Sequence, residues 1–291
     1  MSTAREVARP VTAPGHRPFD APPLSWGADP YADALRAGRG PLFLRRADGW
    51  LLPLEVERWC AAADEADLGV VEHCEGAVLD IGCGPGRLVA ALAATGRRAL
   101  GIDVSEAAVE HTAELGGQAL HRSVFGPLPG EGRWGTALLM DGNLGIGGDP
   151  AALLERVAQL LAPGGLLLAE TAPVDIDERV DVHLVPAGDA HGPYGAHGSA
   201  FPWARLGTPA LLRHARRAGW RDAGQWSAGG RSFVALRSRE RSQARSQEHS
   251  REHSRGRSRS TRSSAEPPKR AAVISSQRAA NPSPESPVAD A

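Results

Sequence analysis

From Ala77 to Thr171 the chain alternates between short apolar runs and longer stretches that carry one apolar stripe. Ala77–Ile81, Arg98–Ile102, Gln118–Val124, Gly135–Met140 and Leu166–Thr171 have the length and continuous apolar character of buried strands. Between them the period changes to that of a helix. One helix is predicted from about Gly86 to Thr95 and is closed by Gly96. Ser105 is a suitable N-cap for a second, running to Leu115. Asp149-Pro150 opens a third, with a capping carboxylate followed by proline at the first helical position. Its apolar face is Leu153, Leu154, Val157, Leu160 and Leu161, and Pro163-Gly164-Gly165 ends it. Strands alternating with helices in this way predict an α/β fold, a doubly wound and mostly parallel sheet.

Past Thr171 the alternation stops. Arg179–Val185 and Ser199–Arg205 read as two strands joined by a Gly/His loop, a small β-hairpin insertion after the fifth strand. Thr208-Pro209 then opens a helix to Ala218, followed by Gly219. Gln225–Ser227 and Ser232–Leu236 close as a hairpin over Ala228-Gly229-Gly230. Upstream, Pro53–Ala66 reads as a helix with Leu54, Val56, Trp59 and Ala63 turned inward. Residues 1–40, rich in Pro and Ala, are expected to be mostly flexible apart from a short helix near Tyr31–Ala37. From Ser238 onward large apolar residues are few and Arg-Ser pairs many, too little to offset chain entropy, so 238–291 is expected to be a disordered tail. The folded domain is therefore expected over 41–237.

Charge adds one feature. The net −1 conceals a basic tail, because residues 238–291 carry 11 Arg or Lys against six acids. The interleaved acids favour a solvated tail over a nucleic-acid arm, and no nucleic-acid partner is expected. No apolar run reaches bilayer length and the N-terminus lacks the apolar core of a signal peptide, so no membrane association is expected and a cytoplasmic location is. Cys60, Cys74 and Cys83 are odd in number and lack CxxC pairing, against a disulfide scaffold or a zinc ribbon.

The informative run is Val78-Leu79-Asp80-Ile81-Gly82-Cys83-Gly84-Pro85-Gly86-Arg87. A glycine turn between strand and helix exposes backbone to a ligand, and the helix N-terminus presents free N–H groups. Side chains at Gly84 or Gly86 are therefore expected to abolish ligand binding without unfolding the chain. A dinucleotide fingerprint needs glycine at 82, 84 and 87, and Arg87 breaks it. Asp80 within the strand would repel a pyrophosphate and suits a ligand cation. Asp103, ending the second strand, can accept from two ribose hydroxyls. Together they imply a nucleoside with a positively charged appendage.

This set resembles the class I S-adenosylmethionine-dependent methyltransferases, through VLDIGCGPGRL (78–88), ALGIDVS (99–105) and LLAPGGLLLAE (160–170). The resemblance implies S-adenosylmethionine as cofactor on a Rossmann-like sheet. It implies Asp80 near the methionine amino group, Gly82, Cys83, Gly84 and Gly86 as the loop beneath the cofactor, and Asp103 on the ribose. Ser123 and Val124 would line the adenine; many relatives carry an acid where Ser123 stands. Asp141-Gly142-Asn143 follows the fourth strand, where relatives place groups near the transferable methyl.

Asp141 is thus the candidate to orient the acceptor or take its proton, though Asp, Gly and Asn also favour simple turns. His183, His191 and His197 follow the fifth strand at spacings that fit no standard ligand set, and no metal is expected. Cys83 is read as a small side chain in a tight loop rather than a nucleophile. Trp203, Trp220 and Trp226 are read as core. The expected activity is methyl transfer to O, N or C of a small-molecule acceptor. Two alternatives are an RNA or protein methyltransferase using the basic tail and a non-catalytic cofactor-binding protein.

Overall fold

The computed structural model describes residues 29–189 and 199–240. The predicted flexible segments, and the loop with His191 and His197, lie almost wholly outside them. Element by element, the chain runs α1 (Asp29–Ala37), β1 (Leu42–Arg46), β2 (Leu51–Leu54), α2 (Val56–Cys60), α3 (Glu65–His73), β3 (Val78–Ile81), α4 (Arg87–Ala94), β4 (Ala99–Asp103), α5 (Glu106–Glu114), β5 (Ala119–His121) and β6 (Trp134–Leu139). It continues as α6 (Pro150–Leu160), β7 (Leu161–Thr171), β8 (Asp177–Pro186), β9 (Phe201–Leu206), α7 (Thr208–Ala218), β10 (Arg221–Ala228) and β11 (Arg231–Arg237).

Seven strands form one sheet in the order β10-β11-β7-β6-β3-β4-β5. β3 pairs in parallel with β4 and β6, and β7 joins β6 in parallel, while β11 and β10 add antiparallel at the edge. The mostly parallel, doubly wound sheet is therefore present. Its central strands are buried on both faces, as their unbroken apolar sequence requires: Val78, Leu79 and Ile81 on β3, Ala137, Leu138 and Leu139 on β6. The stripe Leu153, Leu154, Val157 and Leu160 on α6 packs one face together with Leu211 and Ala215 of α7. Val70, Val71, Leu88 and Leu92 from α3 and α4 pack the other.

Several local expectations change. The single helix expected over Pro53–Ala66 is instead β2, the short α2 and the start of a separate α3. Asp64 breaks it by capping α3, accepting from Asp67 N while Asp67 returns a bond to Asp64 N. β7 begins at Leu161, so Pro163-Gly164-Gly165 lies inside an irregular strand rather than between elements. Ser105 occupies the N-cap of α5, but its Oγ makes no capping bond. Asp149 does cap α6, through Ala151 N and Ala152 N.

The insertion is larger than a hairpin. β8 and β9 join β1 and β2 in a four-stranded antiparallel sheet of order β2-β1-β8-β9. Leu42, Leu44, Val182, Leu184, Phe201 and Trp203 form a second core with Tyr31 and Leu35 of α1, Val56 of α2 and Ala108 of α5. Trp203 bridges to Ile146 in the loop after β6. The small sheet and α1 thus form a cap attached beside the carboxyl ends of the parallel strands.

Candidate functional site

The strand order reverses between β4 and β6 across β3, and ligands of such sheets bind beyond the carboxyl ends at that point. The Gly82–Gly86 loop lies there, beside the turn after β6. Gly82, Gly84 and Gly86 all have positive φ, at 71°, 54° and 89°. Their surroundings differ. A Cβ on Gly82 would stand 2.6 Å from Asn143 Nδ2, and one on Gly86 would overlap the buried side chain of Thr112. On Gly84 it would meet only the Tyr31 hydroxyl, at 3.6 Å. Gly86 is therefore required by packing against α5, contrary to the expectation that a side chain there would spare the fold. Gly84 alone of the three leaves room above the backbone.

Asn143 explains the turn after β6. Its Nδ2 donates to Ile81 O at 3.0 Å and to Gly82 O at 2.8 Å, tying that turn to the glycine loop. Cys83 is buried, its sulfur packed where Gly101 has no side chain and near Thr112 Oγ1. Burial pushes its thiol well up, with the Asp103 and Asp80 charges adding, so it stays protonated.

Asp103 ends β4 almost fully buried. Its Oδ2 accepts from Gly84 N and its Oδ1 from Ser105 N, both at 2.9 Å. Each carboxylate oxygen keeps a lone pair, which fits a ribose diol. Asp80, 2% exposed, has an Oδ2 with no hydrogen-bond partner. Burial raises its pKa to about 7, Arg87 opposing and the Asp141, Asp103 and Asp67 charges adding. A buried acceptor without a donor is costly. It fits the cationic end of S-adenosylmethionine, whose residues the sequence placed here.

Asp141 adopts φ 56° and belongs to an ion-pair cluster. Arg87 Nη1 reaches its Oδ2 at 2.7 Å and Arg58 Nη2 its Oδ1 at 2.8 Å. Arg87 also pairs with Asp67, Arg231 spans Asp67 and Glu170, and Glu170 Oε2 accepts from Asp141 N. Burial works against the Asp67 carboxylate, yet its bonds to Arg87 and Arg231 bring its pKa down to about 2. Six elements or their ends meet in this cluster: α2, α3, α4, β6, β7 and β11. Sequence reasoning missed Asp67, Arg58, Glu170 and Arg231, and took Arg87 only as a broken glycine pattern. A charged residue directly after a glycine loop, with no ligand phosphate to meet, was the available signal.

Ser123 and Val124 follow β5. The Val124 side chain is in the main core, its carbonyl accepts from Arg156 Nε, and Ser123 Oγ accepts from Phe125 N. The side chain and the carbonyl of Val124 are thus both engaged within the fold. His183 is buried on β8. Trp203 and Trp220 are core residues, and Trp226 stacks between His73 and Phe233. Among the described residues no helix is long and apolar enough to cross a membrane.

No curated protein matches. Among solved structures, the chain is similar to a S-adenosylmethionine-dependent methyltransferase from Bacteroides fragilis in complex with S-adenosylhomocysteine, at TM-score 0.57 and 17% identity over 75% of this chain and 94% of that one. It is also similar, at TM-score 0.47 and 20% identity over 62% and 79%, to Burkholderia thailandensis 1,6-didemethyltoxoflavin-N1-methyltransferase. The CcbJ methyltransferase from Streptomyces caelestis follows at TM-score 0.46 and 19% identity over 74% and 98%. A family model for a methyltransferase domain matches residues 58–220, more than half of the chain. That match spans both halves of the crevice, from Arg58 through Asp80, Asp103 and Asp141, and the chain belongs to the S-adenosylmethionine-dependent methyltransferases of class I fold.

Proposed function

We propose that the protein transfers a methyl group from S-adenosylmethionine to O, N or C of a small-molecule acceptor, with residues 41–237 as the methyltransferase domain and α1 laid across it. The observation that carries this reading is the crevice between glycine loop and cap. Its floor offers Asp80 Oδ2 without a partner and Asp103 with acceptor capacity on both oxygens. Above the glycine loop the Tyr31 hydroxyl of α1 stands over Gly84, and Tyr31 packs edge-on against Trp59 of α2. A covered crevice of this kind suits a small acceptor better than a polymer.

In the proposed arrangement Asp80 takes the cofactor's cationic end, Gly82, Cys83, Gly84 and Gly86 form the loop beneath it, and Asp103 holds the ribose. The backbone of Ser123 and Val124 borders the adenine. The cofactor supplies an activated methyl, and the protein aligns it with the acceptor nucleophile and excludes water. Asp141, expected from the sequence to orient the acceptor or take its proton, follows β6 close to the glycine loop, through Arg87 and Asn143. Both its oxygens are held by guanidinium groups, which favours a positioning role over proton abstraction. Incubation with methyl-tritiated S-adenosylmethionine and a fractionated low-mass metabolite pool tests the proposal. Label should enter a compound of low mass, and Asp103→Ala should cut the incorporation at least tenfold at limiting cofactor, as loss of charge-assisted bonds of about 1.5–3 kcal/mol implies. Label found only in protein or RNA would overturn the small-molecule reading.

A further inference from the structure

Among the described residues, Asp80 Oδ2 and Arg58 Nη1 are two of the buried polar atoms without a hydrogen-bond partner, one an acceptor and the other a donor. Arg58 meets Asp141 through its other terminal nitrogen at 2.8 Å, and Asp80 on β3 stands in register with Leu138 of β6, the strand that leads to Asp141. Glu55 and Asp141 engage Arg58 Nε and Nη2, so the guanidinium is pinned while one N–H edge stays unused. A buried guanidinium edge calls for an anion, and a carboxylate matches its geometry. A lone acceptor and a lone donor about one acidic hub are complementary to a ligand carrying an ammonium and a carboxylate together, which is the α-amino acid end of the cofactor.

We propose that Arg58, from the short α2 of the cap, binds the methionyl carboxylate of the cofactor, and that Asp141 serves as the positioning residue that aims it. The proposal rests on the reading of this crevice as the S-adenosylmethionine site. It makes the cap a part of the cofactor site. α2 lies between β2 and α3, outside all three stretches of family resemblance, and its guanidinium pairs with Asp141, which follows β6 at a positive φ. Arg87 stays on Asp67 when Arg58 is removed, so the cluster keeps its centre and the variant is expected to fold.

The test compares two ligands on the full chain by calorimetry: S-adenosylhomocysteine and the same molecule lacking its carboxylate. The wild type should prefer S-adenosylhomocysteine by about tenfold or more, the range of a charge-assisted bond. Arg58→Met should bind both ligands equally, at the weaker affinity. Asp141→Asn should reduce the preference without abolishing binding of the decarboxylated ligand. If Arg58→Met fails to melt cooperatively, Arg58→Lys serves, with the preference reduced at least threefold. An Arg58→Met protein that still prefers the carboxylate, or that loses both ligands together, overturns the role of Arg58 and leaves the crevice assignment standing. A wild type that binds neither ligand overturns the crevice assignment itself.

Discussion

The two sheets of this protein are built on opposite principles. In the seven-stranded sheet, neighbours such as β3 and β4 lie close in sequence, and the central strands β3 and β6 are apolar runs buried on both faces. In the four-stranded sheet, β1 pairs with β8 across more than 130 residues, and one face mixes Leu42 and Leu44 with Arg46, Glu178 and Arg205. The first sheet carries the cofactor loop. The second carries α1 and α2 to the crevice and gives it a wall.

Glycines of like conformation separate the two regions most sharply. Gly86 has φ 89° and faces Thr112; Gly49, in the β1–β2 turn of the cap, has φ 87° and nothing within 4 Å. Gly86→Leu should lose most of its stability, because the left-handed cost and the overlap with Thr112 together reach about 5 kcal/mol, the lower end of a domain's stability. Gly49→Leu should cost only the backbone term of about 1–2 kcal/mol. Thermal unfolding followed by circular dichroism separates them. A cooperative transition for Gly86→Leu near the wild-type temperature would show that α5 can move away.

Arginines sharpen the contrast at a smaller scale. Arg87 is nearly fully buried between Asp67 and Asp141, and Arg87→Met leaves both carboxylates short of a counter-charge, a loss of about 3–5 kcal/mol. Arg46 pairs with Glu178 and Asp48 at the open end of the cap sheet and lies 5.7 Å from the Trp50 ring centre. Arg46→Met should cost less than about 1 kcal/mol. Urea denaturation of the two variants gives the comparison directly. Equal midpoints would mean that the cluster at Asp141 is no keystone.

Legibility followed the same division. Periodicity located all five parallel strands, and capping chemistry placed α6 through Asp149. Asp80 and Asp103 stood out because carboxylates within or ending strands beside a glycine loop have few other uses, and the structure buries both. The cap was readable only in part: β8, β9 and α1 were expected, but the pairing of Leu44 with Leu184 that joins β1 to β8 leaves no local trace. Pro53–Ala66 looked helical because Leu54, Val56 and Trp59 share a helical spacing, and the Asp64 cap that divides the segment was outweighed. The ion-pair cluster was invisible for a related reason. Asp67, Arg87, Glu170 and Arg231 are far apart in sequence, and each alone resembles a surface charge.

The finest contrast is between two aspartates of the crevice. Asp67 has two guanidinium partners and a pKa near 2; its contribution to stability is complete above the ordinary value of 3.8 and fades as pH falls through about 2. Asp80 has an unpaired oxygen and a pKa raised by burial to about 7. The folded chain therefore holds a proton there that the unfolded chain releases near 3.8, so stability declines as pH rises from about 4 to about 7 and is level above. Cofactor binding should reverse the second effect. An ammonium against Asp80 needs the carboxylate, so each binding event below pH 7 expels a proton. Affinity for S-adenosylhomocysteine should rise by up to about tenfold per pH unit toward 7 and then flatten. Calorimetry at pH 6 in buffers of different ionisation enthalpy should show up to one proton released, and Asp80→Asn should show none. Affinity that is flat from pH 5.5 to 7.5 in the wild type would mean that Asp80 keeps its proton with the cofactor bound, and its oxygen would then face the ligand as a neutral group.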